Sequence, residues 1–294
     1  MGKVDLVRRR ARRRHAAKED SLKRLILNAD DFGAAPEVNE AVERAHRDGV
    51  LRSASLMVGA PATADAVERA RRMPGLAVGL HVVLVNGRPV LPAERVPDLV
   101  DERGEFLVDL VRAGFRFFLR PGIRAQMAAE IRAQFERFSK VGLGLDHVDA
   151  QSHMHVHPTV FGLVVRIGRE YGMRAIRIPR EPFGTTGSIA PWLWLMRARA
   201  RRAGIACNDY AFGVTEAGAL TEERVLQLVE ALPDGVTEIF FHPATRAFSG
   251  ADRGTERFAW EGELAALTSP RVRDAIAGSG VVSTTYGELA GALT

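Results

Sequence analysis

The feature that most limits the fold of this chain is the alternation of short apolar runs with amphipathic helical patterns. Apolar runs of strand length occupy residues 24–30, 53–60, 76–85, 145–150, 175–179, 209–214, 237–242 and 281–285. Helical patterns follow most of them, at 36–49, 62–73, 123–140, 159–172, 191–203, 221–232, 260–267 and 270–278. Strands that alternate with helices form parallel βαβ units. Eight such strands predict an α/β protein with a single-domain irregular (β/α) barrel, and the alternative is an open doubly wound sheet.

Basic residues are concentrated at the N-terminus. Residues 1–24 contain ten Lys and Arg against three Asp and Glu, whereas the whole chain has a net charge of +5, so residues 25–294 sum to −2. We interpret residues 1–23 as a basic, poorly ordered tail, and the alternative is a segment that attracts anionic lipid or nucleic acid. Residues 24–294 then form the barrel domain.

Residues 86–122 form a connection that is too long for an ordinary turn between a strand and a helix. The segment is rich in Pro and Gly at both ends and contains the aromatic run AGFRFFLRPG. We interpret it as a candidate lid over a site at the end of the barrel.

Nothing in the sequence predicts export or membrane insertion. The single Cys207 allows no internal disulfide bond. No apolar stretch reaches the roughly 20 residues that span a bilayer. No apolar core of a signal peptide follows the basic N-terminus. We therefore expect a cytoplasmic protein.

Residues capable of metal binding or acid–base chemistry occur where the predicted strands end. Asp30 and Asp31 end the first strand, His81 lies in the third, and His242 ends the seventh. The fourth strand is followed by the segment DAQSHMHVHP, which contains His153, His155 and His157. A lone histidine in an apolar strand is more often a core residue than a ligand. Because the carboxyl ends of parallel strands meet at one edge, we expect these side chains to form one site.

A carboxylate with two or more imidazoles is a donor set for a divalent metal ion. Zn²⁺, Co²⁺ and Ni²⁺ accept mixed nitrogen and oxygen ligands, whereas Mg²⁺ prefers more oxygen. Neighbouring strand residues point to opposite faces, so one of Asp30 and Asp31 is interpreted as a ligand and the other as a general base. His242, from another strand, is the predicted general acid. This set predicts metal-assisted hydrolysis of an acyl or amide bond.

Five motifs in order along the chain resemble those of the YdjC-like carbohydrate deacetylases: LILNADDFG, VGLHVVL, DAQSHMHVHP, IRIPRE and FFHPA. The resemblance implies a distorted barrel of the glycoside hydrolase and deacetylase type with one divalent metal ion (Zn, Mg, Co or Ni). It implies removal of acetyl groups from N-acetylated sugars. By motif, it also implies that Asp31, His81 and His153 are the metal ligands, Asp30 the base and His242 the acid.

The resemblance also assigns residues around the reacting groups. It places Arg177 of IRIPRE near the substrate acetyl group or the base, and it makes His155 and His157 substrate contacts or supplementary ligands. Relatives of this family usually carry Asp-Ser-His before the histidine ligand, whereas this chain has Gln151 in place of that aspartate. Asp149 lies two residues earlier and is not a simple substitute, so the departure affects a contact behind the ligand.

Three segments are similar to the hopanoid biosynthesis-associated HpnK branch of the family: RFFLRPGIRAQMAAEI, PWLWLMRARARRAG and NDYAFGV. This similarity implies an N-acetylglucosaminyl hopanoid as substrate and a peripheral contact with the inner membrane. The contact would use the aromatic side chains Phe115, Phe117, Phe118, Trp192 and Trp194.

Two other functions stay open at this point. One is a soluble chitooligosaccharide deacetylase, and the other is a non-enzymatic module that binds membrane or nucleic acid through the tail. The nearly neutral charge of residues 25–294 argues against the module, so we expect no nucleic-acid partner. The sequence leaves open whether the chain forms a homodimer.

Overall fold

A single parallel sheet organises the molecule. The computed structural model describes residues 22–108, 121–182, 187–248, 255 and 257–292. Within these residues the strands are β1 (Lys23–Phe32), β2 (Ser53–Leu56), β3 (Ala77–Val82), β4 (Val148–Ala150), β5 (Tyr210–Phe212), β6 (Gly235–Phe241) and β7 (Val282–Ser283). They are arranged in the order β4-β3-β2-β1-β6-β5, and β7 pairs with the beginning of β1.

Helices cover the outside of this sheet. The described part of the chain contains α1 (Pro36–Arg47), α2 (Thr63–Arg71), α3 (Pro121–Lys140), α4 (Pro158–Glu170), α5 (Ala190–Arg202), α6 (Glu222–Glu230), α7 (Trp260–Thr268), α8 (Pro270–Gly278) and α9 (Tyr286–Gly291). Helix α1 shows the pattern: proline occupies its first turn, and it buries Val38, Ala41, Val42 and Ala45. The apolar core lies between the helices and the sheet.

The predicted irregular (β/α) barrel is confirmed. The segment 175–177 connects the two edges of the sheet, since Ile176 forms a parallel bridge with Val148 of β4 and Ala175 forms one with Ala206, just before β5. The sheet therefore curls into an incomplete barrel. This curvature excludes the alternative of an open doubly wound sheet.

The prediction of a regular strand at 175–179 is wrong. Only isolated bridges form there, because the side chain of Asn208 bonds to the backbone groups that a neighbouring strand would otherwise pair with. The Ile178 N–H donates to Asn208 Oδ1 at 2.7 Å, and Asn208 Nδ2 donates to the Ile178 carbonyl at 2.8 Å. Pro179 follows and has no N–H to continue a ladder.

The C-terminus also differs from the prediction. The strand expected at 281–285 has only two residues, Val282 and Ser283. The chain then enters α9, which the helical patterns of the sequence do not predict. Its start carries a capping box in which Thr285 accepts from the backbone of Glu288 and Glu288 accepts in return.

The described part of the candidate lid is attached to α3. Buried Glu130 accepts hydrogen bonds from the N–H groups of Val90 and Leu91, at 2.8 and 3.0 Å. Gln134 accepts from the N–H of Val83 at 2.9 Å. Residues 109–120 of the predicted lid lie outside the described residues, so a lid function stays a prediction.

Helix α5 places one large aromatic side chain in solvent. Trp194 is 62% exposed, whereas Trp192 is partly buried and donates from Nε1 to the Val156 carbonyl at 2.7 Å. The other predicted interfacial residues, Phe115, Phe117 and Phe118, lie outside the described residues. None of the helices in the described ranges is both long enough and apolar enough to cross a membrane.

Candidate active site

The two adjacent aspartates lie at an irregularity in β1. The pairing of β1 with β2 shifts register between Ala29 and Phe32, and Asp31 adopts a left-handed φ of 62°. Asp30 has a carboxylate oxygen within 4.8 Å of a ring nitrogen of His81, and Asp31 Oδ1 lies 3.5 Å from His81 Nε2. The expectation that the two side chains diverge is therefore wrong, because the bulge turns both toward one histidine.

Arg177 holds Asp30 with two parallel hydrogen bonds. Its Nη1 donates to Asp30 Oδ2 and its Nη2 to Asp30 Oδ1, each at 2.7 Å. Asn28 Nδ2 also donates to Asp30 Oδ1, at 2.8 Å. Burial alone would raise the pKa of Asp30, but the Arg177 guanidinium outweighs burial and holds that pKa below its usual value. Asp30 is therefore an ionised carboxylate whose Oδ2 still has a lone pair to offer.

Asp149 orients His81 from behind. His81 Nδ1 lies 2.8 Å from Asp149 Oδ1, and Ser55 donates to Asp149 Oδ2 at 2.7 Å. Arg177 Nη2 is 2.9 Å from the same oxygen. Burial opposes the negative charge of Asp149, but Arg177 and His81 hold its pKa well below the usual value. An anionic carboxylate on Nδ1 leaves Nε2 as the atom of His81 that faces the site.

Acceptor oxygens surround Nε2 of His81. Asp31 Oδ1 lies at 3.5 Å and Gln151 Oε1 at 2.8 Å. Burial lowers the pKa of His81, but the carboxylates of Asp149, Asp30 and Asp31 outweigh it and raise that pKa to about 10. In this arrangement Nε2 carries a proton, and a bound cation would take the place of that proton.

The three histidines after β4 have different environments. His153 adopts a left-handed φ of 53°, and its Nδ1 is buried without a hydrogen-bond partner among the described residues. Burial and Arg177 lower the pKa of His153 to about 3, so the ring is neutral, as a metal ligand must be. His155 is fully buried, with Nε2 3.0 Å from the Arg177 carbonyl, and His157 accepts from the N–H of Thr159 at the start of α4. The substrate contacts proposed for His155 and His157 stay predictions.

His242 lies at the end of β6 on the same side of the sheet. Its backbone N–H donates to buried Glu263 at 2.5 Å, and its ring packs 5.0 Å from the ring of Phe258. Its Nδ1 has no hydrogen-bond partner within the described ranges. Burial raises the pKa of Asp31, and His242 and His81 nearby offset only part of that effect. His242 therefore contributes to the electrostatic environment of Asp31.

This set of residues fits a divalent cation. Among the described residues, one atom each from Asp30, His81 and Asp149 lie within 4.8 Å of one another, a spacing that could hold a metal ion. Asp30 and Asp149, however, already accept several hydrogen bonds. Asp31 Oδ1 and His153 Nδ1, in contrast, are buried atoms that lack hydrogen-bond partners among the described residues. Both possible ligand sets, Asp30 with Asp149 and Asp31 with His153, include His81.

A large cleft opens beside Asp31. Its volume is about 1470 Å³, above the roughly 300–1,000 Å³ of pockets for drug-sized ligands. Its lining combines apolar side chains with the charged residues of the segment after β3. The apolar ones include Met57, Val83, Val90, Phe106, Phe248 and Trp260, and the charged ones are Arg88, Asp101, Glu102, Arg103 and Glu105. The cleft is large enough for more than one sugar ring.

A parallel (β/α) barrel with carboxylates and histidines at the carboxyl ends of its strands defines a class of barrel enzymes that use acid–base and metal chemistry. The chain matches the YdjC-like protein family over residues 24–278. It therefore belongs to the YdjC-like family.

Individual relatives agree with this membership. A carbohydrate deacetylase of Geobacillus stearothermophilus is 35% identical over 267 residues, which cover 90% of this chain and 96% of that protein. A carbohydrate deacetylase of Brevibacillus brevis is 32% identical over 270 residues, with coverages of 90% and 99%. A solved structure from Enterococcus faecalis V583, provisionally named a cellobiose-phosphate cleavage protein, aligns with a TM-score of 0.75 at 29% identity. That alignment covers 92% of this chain and 99% of the other.

Several buried polar residues of the site were not predicted from the sequence. They lie on the strands or, for His147, directly before β4, and they face the inside of the barrel: Asn28, Ser55, His147 and Glu238. The sequence singles out Asp149 at the end of the fourth strand, but not its contact with His81. Polar residues at every second position of an otherwise apolar strand are the signal that could have identified them. Tyr286 carries no such signal, because it reaches Glu238 from a helix.

Proposed function

We propose that this protein hydrolyses the acetamide of an N-acetylglucosamine-type sugar with the help of a divalent metal ion. It is a carbohydrate deacetylase, a hydrolase that acts on carbon–nitrogen bonds. The observation that carries the metal-dependent mechanism is the pairing of Asp31 Oδ1 with His81 Nε2, 3.5 Å apart, beside an Asp30 that Arg177 keeps ionised.

Asp31, His81 and His153 would hold the metal ion. When bound, the ion would polarise the acetyl carbonyl group and acidify a water molecule. Asp149 keeps Nε2 of His81 directed at the site through its hydrogen bond to Nδ1. The neutral ring of His153 and the unpartnered Asp31 oxygen support this set over one that includes Asp30 and Asp149.

Asp30 and His242 would move the protons. Asp30 accepts a proton from the attacking water molecule as the oxygen of that water bonds to the acetyl carbon. His242 donates a proton to the amide nitrogen as the carbon–nitrogen bond breaks. The products are acetate and a free amino sugar. Arg177 holds Asp30 in one orientation with both carboxylate oxygens engaged, which fixes the direction of its remaining lone pair.

Isosteric variants of the aspartates test the assignment. Asp30→Asn should retain the metal and lose about 100-fold or more in kcat, the typical contribution of a general base. Asp31→Asn should lose the metal itself. The measurements are acetate release from an N-acetylglucosamine oligomer, and metal content after gel filtration with Zn²⁺ or Co²⁺.

Asp149→Asn is the matched comparison within the same site. If it loses the metal while Asp31→Asn keeps it, the ligand set is Asp30, His81 and Asp149, and our assignment is wrong. If chelation leaves acetate release unchanged, the metal-dependent mechanism is wrong.

The finer proposal is that the sugar is linked to a hopanoid, so that the substrate is a glycolipid. The size of the cleft and its apolar walls support an apolar group next to the sugar, and the exposed Trp194 offers an apolar side chain for a membrane contact. Such a substrate would require a peripheral contact with a membrane. The alternative, a soluble chitooligosaccharide, is compatible with the same catalytic residues.

Rates on two substrates separate these alternatives. We expect faster acetate release from an N-acetylglucosaminyl lipid in detergent micelles than from diacetylchitobiose. Fast turnover of diacetylchitobiose together with none of the lipid would exclude the glycolipid and leave the deacetylase activity intact.

A further inference from the structure

We propose that Glu238 and Tyr286 are positioning residues for the general base, and that they act on Asp30 through Arg177. This inference depends on the proposed function, because it concerns the role of Asp30 in deacetylation. Both residues lie deeper in the barrel than Asp30, and neither belongs to the five motifs by which the sequence resembles its family.

Glu238 fixes the plane of the Arg177 guanidinium. Arg177 Nε donates to Glu238 Oε2 and Nη2 donates to Glu238 Oε1, both at 2.8 Å. Asp30 accepts from Nη1 and Nη2 on the adjacent edge. The ring of Phe240 lies beneath the guanidinium carbon, with its centroid at 4.4 Å. Two paired carboxylates and one aromatic face leave this group a single orientation.

The number of protons on Nη2 of Arg177 limits how many carboxylates it can hydrogen-bond. Nη2 has two protons, and its hydrogen bonds to Asp30 Oδ1 and Glu238 Oε1 use both. The additional contact with Asp149 Oδ2 at 2.9 Å is therefore an ion pair without its own proton. If Glu238 loses its charge, Nη2 can turn toward Asp149, and its hydrogen bond to Asp30 is weakened.

Tyr286 holds Glu238 in place. Its hydroxyl donates to Glu238 Oε2 at 2.7 Å, and its ring stacks on His147 at a centroid distance of 4.8 Å. The side chain is fully buried at the first position of α9. The C-terminal helix therefore supplies the last member of a chain of contacts that runs from Tyr286 through Glu238 and Arg177 to Asp30.

All four residues in this series of contacts are buried, and each contact is a hydrogen bond to a charged group. Such bonds are shorter and stronger than those between neutral groups, so a change at one end is transmitted as a change in orientation. We expect these contacts to affect the rate of the chemical step and not the binding of the sugar, because neither Glu238 nor Tyr286 lines the cleft.

A double-mutant cycle tests the proposal. Glu238→Gln should lower kcat about tenfold with KM unchanged, a coupling of the size found between contacting residues. Tyr286→Phe, which retains the stacked ring, should lower kcat about threefold by the same route. In the Asp30→Asn background, Glu238→Gln should cause no further loss of the residual activity, since the group on which it acts is gone.

Asp209→Asn is the matched control. Asp209 is a carboxylate near the other end of β6, where it accepts from the Val236 N–H at 2.9 Å without contacting Arg177. We expect kcat of this variant to equal that of the wild type. Thermal unfolding and bound metal should be measured for every variant. If Glu238→Gln does not fold, the kcat of Tyr286→Phe tests the proposal in its place.

The possible outcomes separate the two proposals. An equal loss from Glu238→Gln in the wild-type and Asp30→Asn backgrounds would show a general structural effect and overturn the positioning role. So would a loss confined to KM, or a wild-type kcat for both Glu238→Gln and Tyr286→Phe. The proposed function fails separately, if the wild-type protein releases no acetate from any N-acetylated sugar.

Discussion

At the scale of single residues, the barrel interior is organised by charge and not by apolar packing. His147 illustrates this. Its Nδ1 lies 3.0 Å from an oxygen of Asp146, and its Nε2 lies 3.0 Å from Ser55 Oγ. Ser55 gives its single proton to Asp149, so it can only accept from His147. Both ring nitrogens must then carry protons, which makes His147 a buried imidazolium.

The pH dependence of stability should report this charge. Burial opposes the positive charge of His147, but Asp146 outweighs burial and raises the pKa of His147. The contribution of this charge to the free energy of unfolding is therefore complete below the unfolded pKa of about 6.5. That contribution is lost as pH rises through the higher folded pKa. His147→Gln should therefore lower the free energy of unfolding by about 1–3 kcal/mol at pH 6 and by less at pH 9.

Urea unfolding of both proteins at the two pH values measures this difference. A gap between wild type and variant that is the same at pH 6 and pH 9 would contradict the charged state. Asp146→Asn, which removes the other partner of the pair, should reproduce the larger loss at pH 6.

At the scale of secondary-structure elements, α3 determines the shape of the cleft. It crosses behind the segment that follows β3, and its buried side chains supply hydrogen-bond partners to the backbone of that segment. Because an irregular segment has no strand or helix to satisfy its N–H groups, these side chains take that role. The wall of the cleft that contains Val90 is therefore attached to a helix.

Removing this attachment should weaken substrate binding. Glu130→Ala leaves the N–H groups of Val90 and Leu91 without their acceptor, at a cost of about 1–3 kcal/mol in the free energy of unfolding. We expect KM for the sugar to rise, with a smaller change in kcat, because the catalytic residues lie on other elements. Glu136→Ala, at an exposed position of the same helix, is the control and should change stability by less than about 0.5 kcal/mol. An unchanged KM in Glu130→Ala would show that this wall does not contact substrate.

At the scale of the whole molecule, charge separates into two regions. The N-terminal residues are strongly basic, whereas the rest of the chain sums to a small negative charge and gathers several carboxylates around Arg177. The regular sheet begins at Lys23, which pairs with Gly235 of β6. We propose that residues 24–294 act as one catalytic domain that does not depend on the tail.

Deletion of residues 1–21 tests this division. The truncated protein retains all of β1, so we expect wild-type kcat and KM on a soluble N-acetylated sugar. Binding to anionic vesicles should decrease, because the tail carries most of the basic excess. Loss of activity on the soluble sugar would contradict the proposed domain. A full-length protein that releases no acetate, and whose truncation abolishes nucleic-acid binding, would favour the non-enzymatic alternative.

The sequence by itself determined the alternation of strands and helices, and therefore the barrel and the edge at which Asp30, Asp31, His81 and His242 meet. These features follow from local periodicity and from the common direction of parallel strands, both of which can be read from one chain. The helical patterns do not predict α9, although the residues of its capping box stand in the sequence. The predicted strand at 175–179 does not form, because the side chain of Asn208 hydrogen-bonds to the backbone there.

Only the tertiary structure decided how the site is arranged. The bulge that turns both aspartates toward His81 depends on the pairing of β1 with β2. The ionisation of Asp30, Asp149 and His81 depends on Arg177 and on neighbours that are distant along the chain. The physical reason is that burial makes each of these charges costly unless partners compensate it, and those partners are brought together only when the sheet curls into the incomplete barrel.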